Sequence, residues 1–151
     1  MDFLTNRAKC YFDFKFFDKC INDLDAAIKL NEHDPLLLYK QGMSYFATGR
    51  FKKCLKYFKN ALKNKPFVTY ECEIYYHIGL AYCNVEKFEK AIFPFTFCVS
   101  RIPLNISYIH ERAKANQMIE DHEKAVEDFT TVIRINPKNA HAHFRRAFSL
   151  K

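Results

Sequence analysis

Residues 35–66 read PLLLYKQGMSYFATGRFKKCLKYFKNALKNKP, and the rest of the chain repeats their pattern. Apolar residues recur at helical spacing on either side of a short break, which predicts two amphipathic helices joined by a tight turn. The marker positions are Gly42, Tyr45 and Gly49 in the first half, Phe51, Phe58, Ala61 and Leu62 in the second half, and Pro66 at the end. A helix–turn–helix unit is therefore the element to seek elsewhere in the chain.

The same markers recur in register along almost the whole chain. Moved back by 34 residues, the pattern falls on Ala8, Tyr11, Phe17, Leu24, Ala27 and Ile28. Moved forward by 37 residues, it falls on Gly79, Tyr82, Phe88, Ala91, Phe95 and Pro103. A weaker copy follows with Ala113, Ala125, Phe129, Ile133 and Pro137 but with Asn116 in place of the tyrosine, and a fifth copy begins at Ala140. A pattern that is kept through four copies indicates a repeat protein.

The repeated unit resembles the tetratricopeptide repeat (TPR), a helix–turn–helix unit of 34 residues. The resemblance implies an all-α fold, a TPR α-solenoid in which about four repeats and one extra helix stack into a right-handed superhelix. The chain is then a single array over 1–151, with repeats at 1–34, 35–68, 72–105 and 106–139 and a partial repeat at 140–151. Terminal repeats usually carry a polar cap, whereas the last segment carries Phe144, Phe148 and Leu150, so we expect a fragment of a longer array.

The repeat pattern also predicts where each helix lies. The expected pairs are 2–14 and 17–30, 35–48 and 51–64, 69–85 and 88–101, and 106–119 and 122–135, with a lone helix from about 140. Three extra residues near 68–70 predict an added turn at the start of the third pair. Asp34, Asn105 and Asn139 are placed to cap helix starts. Pro94 lies inside a predicted helix, where we expect a kink rather than an end.

Composition excludes several other classes of protein. With 49% hydrophobic and 27% charged residues, three Gly and five Pro, the chain is neither disordered nor fibrous. No stretch approaches the roughly 18 uncharged apolar residues of a membrane helix, so we expect no membrane partner. The N-terminus carries Asp2 and has no long apolar core, unlike a secretory signal.

The six cysteines form no C-x-x-C pair. Cys20 and Cys54 occupy the small-residue position that Ala91 holds in the third copy, and Cys98 occupies the position of Ala61. Cysteines in such places pack as small hydrophobic residues, which favours free thiols in a reducing compartment. The sequence therefore predicts a cytoplasmic protein and leaves a ciliary or nuclear location open.

No residues with catalytic spacing are present. The chain lacks a glycine-rich phosphate loop, an H-E-x-x-H motif and a nucleophile elbow. Its six histidines are scattered, and His141 and His143 would point about 200° apart on a helix, so they cannot share a metal from one face. The sequence predicts no enzyme activity, no cofactor and no metal site.

In TPR proteins the first helices of successive repeats line a concave groove that holds a peptide or helix of a partner, and the resemblance implies the same here. The candidate groove residues are Tyr39, Met43, Phe46, Tyr76, Leu80, His110, Lys114, Phe144 and Arg145. The first five form an apolar strip, which favours an amphipathic helix or an extended apolar peptide across the second and third repeats. His110, Lys114 and Arg145 are candidates for orienting a ligand carboxylate. The predicted function is a protein-interaction scaffold.

One known kind of TPR ligand is not expected. Chaperone-binding TPR domains hold an acidic C-terminal tail with a clamp of Lys, Asn, Asn, Lys and Arg side chains. No three consecutive first helices of this chain supply both asparagines, and two of the three possible sets place Glu111 in the clamp. Because a glutamate there repels a tail carboxylate, chaperone tails should bind weakly or not at all.

The outer face of the predicted array carries two further candidate contacts. Lys52, Lys56, Lys59 and Lys63 form a basic stripe within residues 50–65, which contain no acid, and the net charge of the chain is +7. A solvated face is the simpler interpretation of this stripe. Phe93 and Phe97 lie four residues apart beside Pro94 and suggest a partner or self-association site, unless a kink turns them inward.

These features leave a second function open, that of a structural or assembly subunit contacted through its edges and convex face. Nucleic acid is a weaker partner, because acidic residues flank the lysine stripe and a basic track of duplex length does not form. Self-association is a further possibility, since a second copy or a neighbouring segment can also fill an apolar groove.

Overall fold

The computed structural model describes residues 2–66 and 68–150. Over these ranges all regular structure is helical, and each predicted helix end agrees with the observed one to within one residue. The helices are α1 (Asp2–Asp13), α2 (Phe17–Leu30), α3 (Pro35–Ala47), α4 (Phe51–Lys63), α5 (Val68–Asn84), α6 (Phe88–Arg101), α7 (Ile106–Met118), α8 (His122–Ile135) and α9 (Ala140–Ser149). α5 has 17 residues against 13 in α3 and α7, which is the added turn that the three extra residues predicted.

The chain divides into two compact units, one that runs through Ile74 and one that begins at Tyr75, so the division falls inside α5. In the first unit, α1 packs on α2, α2 on α3, and α3 on α4. In the second unit, α6 packs on α7, α7 on α8, and α8 on α9. The predicted all-α fold is confirmed. None of the helices in the described part of the chain is long and apolar enough to cross a membrane.

Each unit has a core of buried apolar side chains. In the first unit the core includes Ala8, Cys20, Leu24, Ala27 and Leu37. In the second unit the cores include Ala91, Phe95 and Ala115, and then Ile109, Ala113, Ala125, Phe129, Val132 and Ala142. Cys20, Cys54 and Cys98 are buried, as predicted, and all six cysteines are free thiols. Burial raises the pKa of Cys54 to about 12, so this thiol stays protonated and unreactive.

Glycine at one position of a first helix lets a phenylalanine of the second helix lie against its backbone. A Cβ added to Gly42 would be 2.5 Å from the Phe58 ring, and one added to Gly79 would be 2.5 Å from the Phe95 ring. Both phenylalanines are fully buried. This pairing of a small with a large residue fixes how the two helices of a pair pack.

The turn inside each of the first four helix pairs has one geometry. Lys15, Gly49, Glu86 and Glu120 have φ values of 61°, 72°, 57° and 62°. The amide of the next residue donates to a carbonyl five residues earlier, as in Arg50 N to Tyr45 O and Asp121 N to Asn116 O, both at 2.9 Å. This is the Schellman helix ending, in which a left-handed residue terminates the helix. Only one of the four turns has the glycine that this conformation favours.

The predicted helix caps are present. Asp34 Oδ1 accepts hydrogen bonds from the amides of Leu36 and Leu37, at 2.9 and 3.2 Å. Asn105 accepts from the amide of Tyr108, and Asn139 accepts from the amide of Ala142. Each cap satisfies an amide at the start of a first helix, and these starts position the candidate groove residues.

Pro94 lies within α6 and is buried. The same position is occupied by Asp23 in the first pair and by Asp128 in the fourth. Arg7 donates to both oxygens of Asp23 at 2.7 Å, and Arg112 donates to those of Asp128 at 2.9 and 2.7 Å. In α6 a proline takes this position without ending the helix, as predicted. The kink expected there remains a prediction.

Candidate functional site

The first unit contains an apolar cavity of about 190 Å³ between α1, α2 and α3. Its lining residues are Ala8, Lys9, Phe12, Cys20, Leu24, Tyr39, Lys40 and Met43. Two of the predicted groove residues, Tyr39 and Met43, therefore share one concave surface. They lie one turn apart on α3 and so point to the same side of that helix. We call this site the apolar cavity.

Tyr39 lines the apolar cavity, and its side chain is held in place by contacts with three other residues. Its hydroxyl donates to Glu73 Oε2 at 2.7 Å, and its ring centroid lies 5.4 Å from that of Tyr70 and 6.3 Å from that of Phe58. Burial, followed by the bond to Glu73 and its negative charge, raises the pKa of Tyr39 well above its ordinary value. The tyrosine hydroxyl therefore stays protonated and keeps its hydrogen bond to Glu73 throughout the physiological range.

Six of the eight residues that line the apolar cavity lie on the first helices α1 and α3, and the other two, Cys20 and Leu24, lie on α2. From the sequence we expected an apolar strip continuing from α3 onto α5, with Phe46 included. Phe46 does not line the cavity; its ring packs edge-on against Phe51, with centroids 5.5 Å apart. On the α1 side the lining residues are Ala8, Lys9 and Phe12. Lys9 and Lys40 add positive charge to this otherwise apolar lining.

The second unit contains a polar cavity of about 350 Å³. It is lined by Leu80, Cys83, Asn84, Phe88, Glu111, Lys114, Ala115, Met118 and Arg145. Three predicted groove residues, Leu80, Lys114 and Arg145, are therefore brought together here. Lys114 Nζ lies 2.9 Å from Glu111 Oε2, and Arg145 Nη1 donates to Gln117 Oε1 at 2.7 Å. We call this site the polar cavity.

Glu111 occupies the centre of this charge arrangement. Burial acts to raise the pKa of its carboxyl, but the hydrogen bonds from Lys114 and the nearby imidazole of His110, 3.8 Å away, outweigh burial and lower the pKa. Glu111 is therefore ionised at neutral pH, and it neutralises Lys114 from within the same helix. A ligand carboxylate placed beside Lys114 would meet this negative charge, which opposes the role predicted for Lys114.

His110, the third predicted basic group, is paired with His141. His110 Nε2 and His141 Nδ1 are 2.9 Å apart, and Arg145 Nε donates to His141 Nε2 at 3.4 Å. Burial lowers the pKa of His141, and the positive charges of His110, Arg145 and Lys114 lower it further. The three residues expected to orient a ligand carboxylate therefore already have protein partners.

The His110–His141 pair was not predicted from the sequence, although the sequence contains a signal for it. His110 has the repeat position of Tyr39, and His141 has the position that Glu73 holds in the third repeat. Since Tyr39 donates to Glu73, the same two positions in adjacent first helices hold both contacts. Comparing polar residues at these two positions in successive repeats would have found the pair.

The remaining candidates divide into packing residues and exposed residues. Tyr76 packs against Phe95 and Tyr108, with ring centroids 6.0 and 5.1 Å away. Phe144 is 72% exposed. On α6, Phe93 is 66% exposed, whereas the Phe97 ring is half-buried and its centroid lies 4.1 Å from that of Tyr75.

Comparison with known proteins identifies the repeat unit. The family model for the tetratricopeptide repeat matches residues 35–67, and a second model with that description matches residues 106–139. The DnaJ homolog subfamily C member 7 homolog of Dictyostelium discoideum is 23% identical over 154 residues, which cover 93% of this chain and 29% of the relative. The BBSome complex member BBS4 of Bos taurus is 27% identical over 127 residues, which cover 84% of this chain and 24% of the relative. The chain thus spans less than a third of the length of these relatives.

Solved structures share the fold. MamA (41-end) from Desulfovibrio magneticus RS-1 superposes with a TM-score of 0.90 at 17% identity, covering 98% of this chain and 82% of that one. YrrB, described as a TPR protein with an unusual peptide-binding site, superposes with a TM-score of 0.88 at 16% identity, covering 97% of this chain and 74% of that one. At these identities the likeness establishes the fold alone.

Proposed function

The chain is a tetratricopeptide-repeat protein, and from this premise we propose that it is a scaffold that binds an apolar segment of a partner protein on the surface formed by its first helices. The observation that carries the proposal is the apolar cavity of about 190 Å³, lined by Tyr39 and Met43. A concave apolar surface with a few charged groups at its edge is the usual form of a peptide-binding site. TPR proteins generally act in this way, and YrrB is described as having a peptide-binding site.

The size of the apolar cavity limits what it can hold. It has room for one large apolar side chain, such as Leu, Met or Phe, whose burial contributes about 1.5–3 kcal/mol. A single anchor of this strength does not overcome the cost of immobilising a peptide. The partner segment therefore needs further contacts along α1 and α3, and we expect an extended peptide or a helix with one dominant anchor residue.

The proposal involves no catalytic step and no cofactor. We also propose that the protein acts in a reducing compartment such as the cytoplasm. Cys20, Cys54 and Cys98 serve as small core residues, and burial raises the pKa of Cys54 to about 12 and that of Cys83 to about 11. Thiols of this kind are adapted for packing rather than for reaction.

Phe93 favours a second candidate function, that of an assembly subunit contacted through its second helices. Its side chain is 66% exposed, and the Tyr75 ring lies edge-on at 6.0 Å between centroids. An exposed aromatic supported by a second ring is typical of an interface anchor. Loss of partner binding in Phe93→Ala, with peptide binding at the apolar cavity retained, would favour this function.

The experiment is a selection of random peptides displayed on phage against the immobilised chain, followed by affinity measurement by calorimetry. We expect enriched peptides to share one large apolar residue. Met43→Glu places a charge in the apolar cavity and should weaken them at least about tenfold. Met118→Glu makes the same change in the polar cavity and is the matched control. An equal loss in both variants, or no enrichment at all, would contradict the proposal.

A further inference from the structure

The first unit has a second concave surface that the proposed function does not use. It measures about 350 Å³, lies between α2 and α4, and shares no lining residue with the apolar cavity. Its lining residues are Ile28, Lys29, Glu32, His33, Leu38, Lys56, Tyr57, Asn60, Lys63 and Asn64. We call this surface the lysine cavity.

The lysine cavity carries an excess of positive charge. Lys29 comes from α2 and Lys56 and Lys63 from α4, and none of the three forms an ion pair within residues 2–66 and 68–150. The one carboxylate among the lining residues is Glu32. Three ammonium groups against one carboxylate leave an uncompensated positive field in a concave site, which attracts anions.

The fold itself does not require these lysines. Lys52 and Lys56 of α4 correspond in the repeat to Glu123 and Glu127 of α8, so the same helix face is acidic in the fourth repeat. Lys29 and Lys63 lie in the last turns of their helices, where positive charge offsets the helix dipole. Lys56 has no such role.

The uncharged lining residues narrow the class of ligand. Ile28 and Leu38 supply apolar surface, and Leu38 is only 3% exposed. Asn60 and the Tyr57 ring add a polar edge and an aromatic edge. Such a surface suits a carboxylate next to an apolar side chain. A nucleic-acid strand fits less well, because the carboxylate of Glu32 lies among the lining residues and repels phosphate groups.

We propose that the lysine cavity is a second binding site, which accepts a short acidic peptide segment of a partner protein carrying an apolar residue among its carboxylates. Lys29, Lys56 and Lys63 neutralise the carboxylates, and the apolar residue covers Ile28 and Leu38. The site is independent of the apolar cavity, so one chain can hold two different partner segments.

The test uses the peptide EEDLEE-amide, with fluorescein attached to its N-terminal amine and a blocked C-terminus that removes the terminal carboxylate. Its binding is followed by fluorescence polarisation at about 50 mM and 150 mM salt. We expect saturable binding that weakens with salt, and a loss of at least about threefold when the leucine is replaced by asparagine. A labelled twelve-residue oligothymidine tests for nucleic acid. Tighter binding of the oligonucleotide than of the peptide would overturn the proposal.

Two charge-reversal variants locate the site. Lys56→Glu changes a lining residue, and Lys52→Glu makes the same change one turn away on α4, outside the lysine cavity. We expect Lys56→Glu to weaken the acidic peptide at least about tenfold and Lys52→Glu less than about threefold. Equal losses in the two variants would show a general field effect and overturn the proposal, as would absence of binding to the unaltered chain.

Met43→Glu provides the remaining control. It alters the apolar cavity and is expected to leave the acidic peptide's affinity unchanged. Conversely, Lys56→Glu is expected to leave peptides selected for the apolar cavity unaffected. If Met43→Glu abolishes acidic-peptide binding while Lys56→Glu does not, the acidic peptide binds beside Lys9 and Lys40, and the lysine cavity is not a site.

Discussion

The apolar cavity of the first unit and the polar cavity of the second share several repeat positions, which carry different side chains in the two units. Met43 of α3 lines one, and its counterpart Lys114 of α7 lines the other. Likewise Tyr39 corresponds to His110, which pairs with His141. The helix–turn–helix fold fixes where these positions lie. The side chain at each position decides whether the resulting surface offers space to a ligand or is satisfied by its own neighbours.

The largest expected effect is a loss of stability when a core residue of the first unit is removed. Phe58 is fully buried against Gly42, and its ring lies 6.3 Å from that of Tyr39. We expect Phe58→Ala to lower the free energy of unfolding by about 3–5 kcal/mol in a urea titration and to weaken peptide binding. Phe93→Ala removes an equal, exposed ring and should change the free energy of unfolding by less than about 0.5 kcal/mol. Similar losses in both would contradict the packing described here.

The two arginine–aspartate pairs sharpen the comparison between the units. Arg112–Asp128 has side-chain exposures of 22% and 8%, against 43% and 10% in Arg7–Asp23. Removal of Arg112 leaves a buried carboxylate unpaired, so we expect Arg112→Met to destabilise the chain by about 1–3 kcal/mol, below the cost for a fully buried pair. Arg7→Met should destabilise less. A larger loss for Arg7→Met in the same urea titration would show that exposure does not govern the two pairs.

The helix-pair turns differ between the units in one residue. Gly49 provides the left-handed residue of one turn in the first unit, whereas Lys15 in the same unit and Glu86 and Glu120 in the second unit carry a side chain there. We expect Gly49→Ala to lower the free energy of unfolding by about 1 kcal/mol, because alanine is strained at positive φ. Glu120→Ala keeps a side chain at the same backbone geometry and should change the free energy little. Equal effects would refute this explanation.

The smallest expected effect is a pH dependence confined to the second unit. The folded-state pKa of His141 is lowered, chiefly by burial and then by His110, Arg145 and Lys114. The folded chain therefore binds fewer protons than the unfolded chain near pH 6.5, and stability falls as pH falls through and below that value. Urea titrations at pH 7.5 and 5.5 should show this loss, and His141→Gln should reduce it while His143→Gln should not. A loss unchanged in His141→Gln would exclude the histidine pair as its source.

The sequence predicted the helices and their caps because periodicity, small residues at the packing positions and Asp34 before Pro35 are local signals. It also contained the partner of Lys114, since Glu111 lies three residues earlier on one helix face. The apolar cavity was not predicted in its observed place. Its open space depends on side-chain positions that periodicity does not give. The bond from Arg145 to Gln117 joins different helices and left no such signal.

The most direct test compares the two cavities in one spectrum. The chain contains three methionines, of which Met43 lines the apolar cavity and Met118 lines the polar cavity. The methionine methyl groups are labelled with ¹³C, and their NMR signals are assigned with the variants Met43→Leu and Met118→Leu. The Met43 signal then reports occupancy of the apolar cavity, and the Met118 signal reports occupancy of the polar cavity. On titration with a peptide selected by phage display, we expect the Met43 methyl signal to shift and saturate while the Met118 signal stays in place. A shift of the Met118 signal with the Met43 signal unchanged would contradict the apolar cavity as the peptide-binding site.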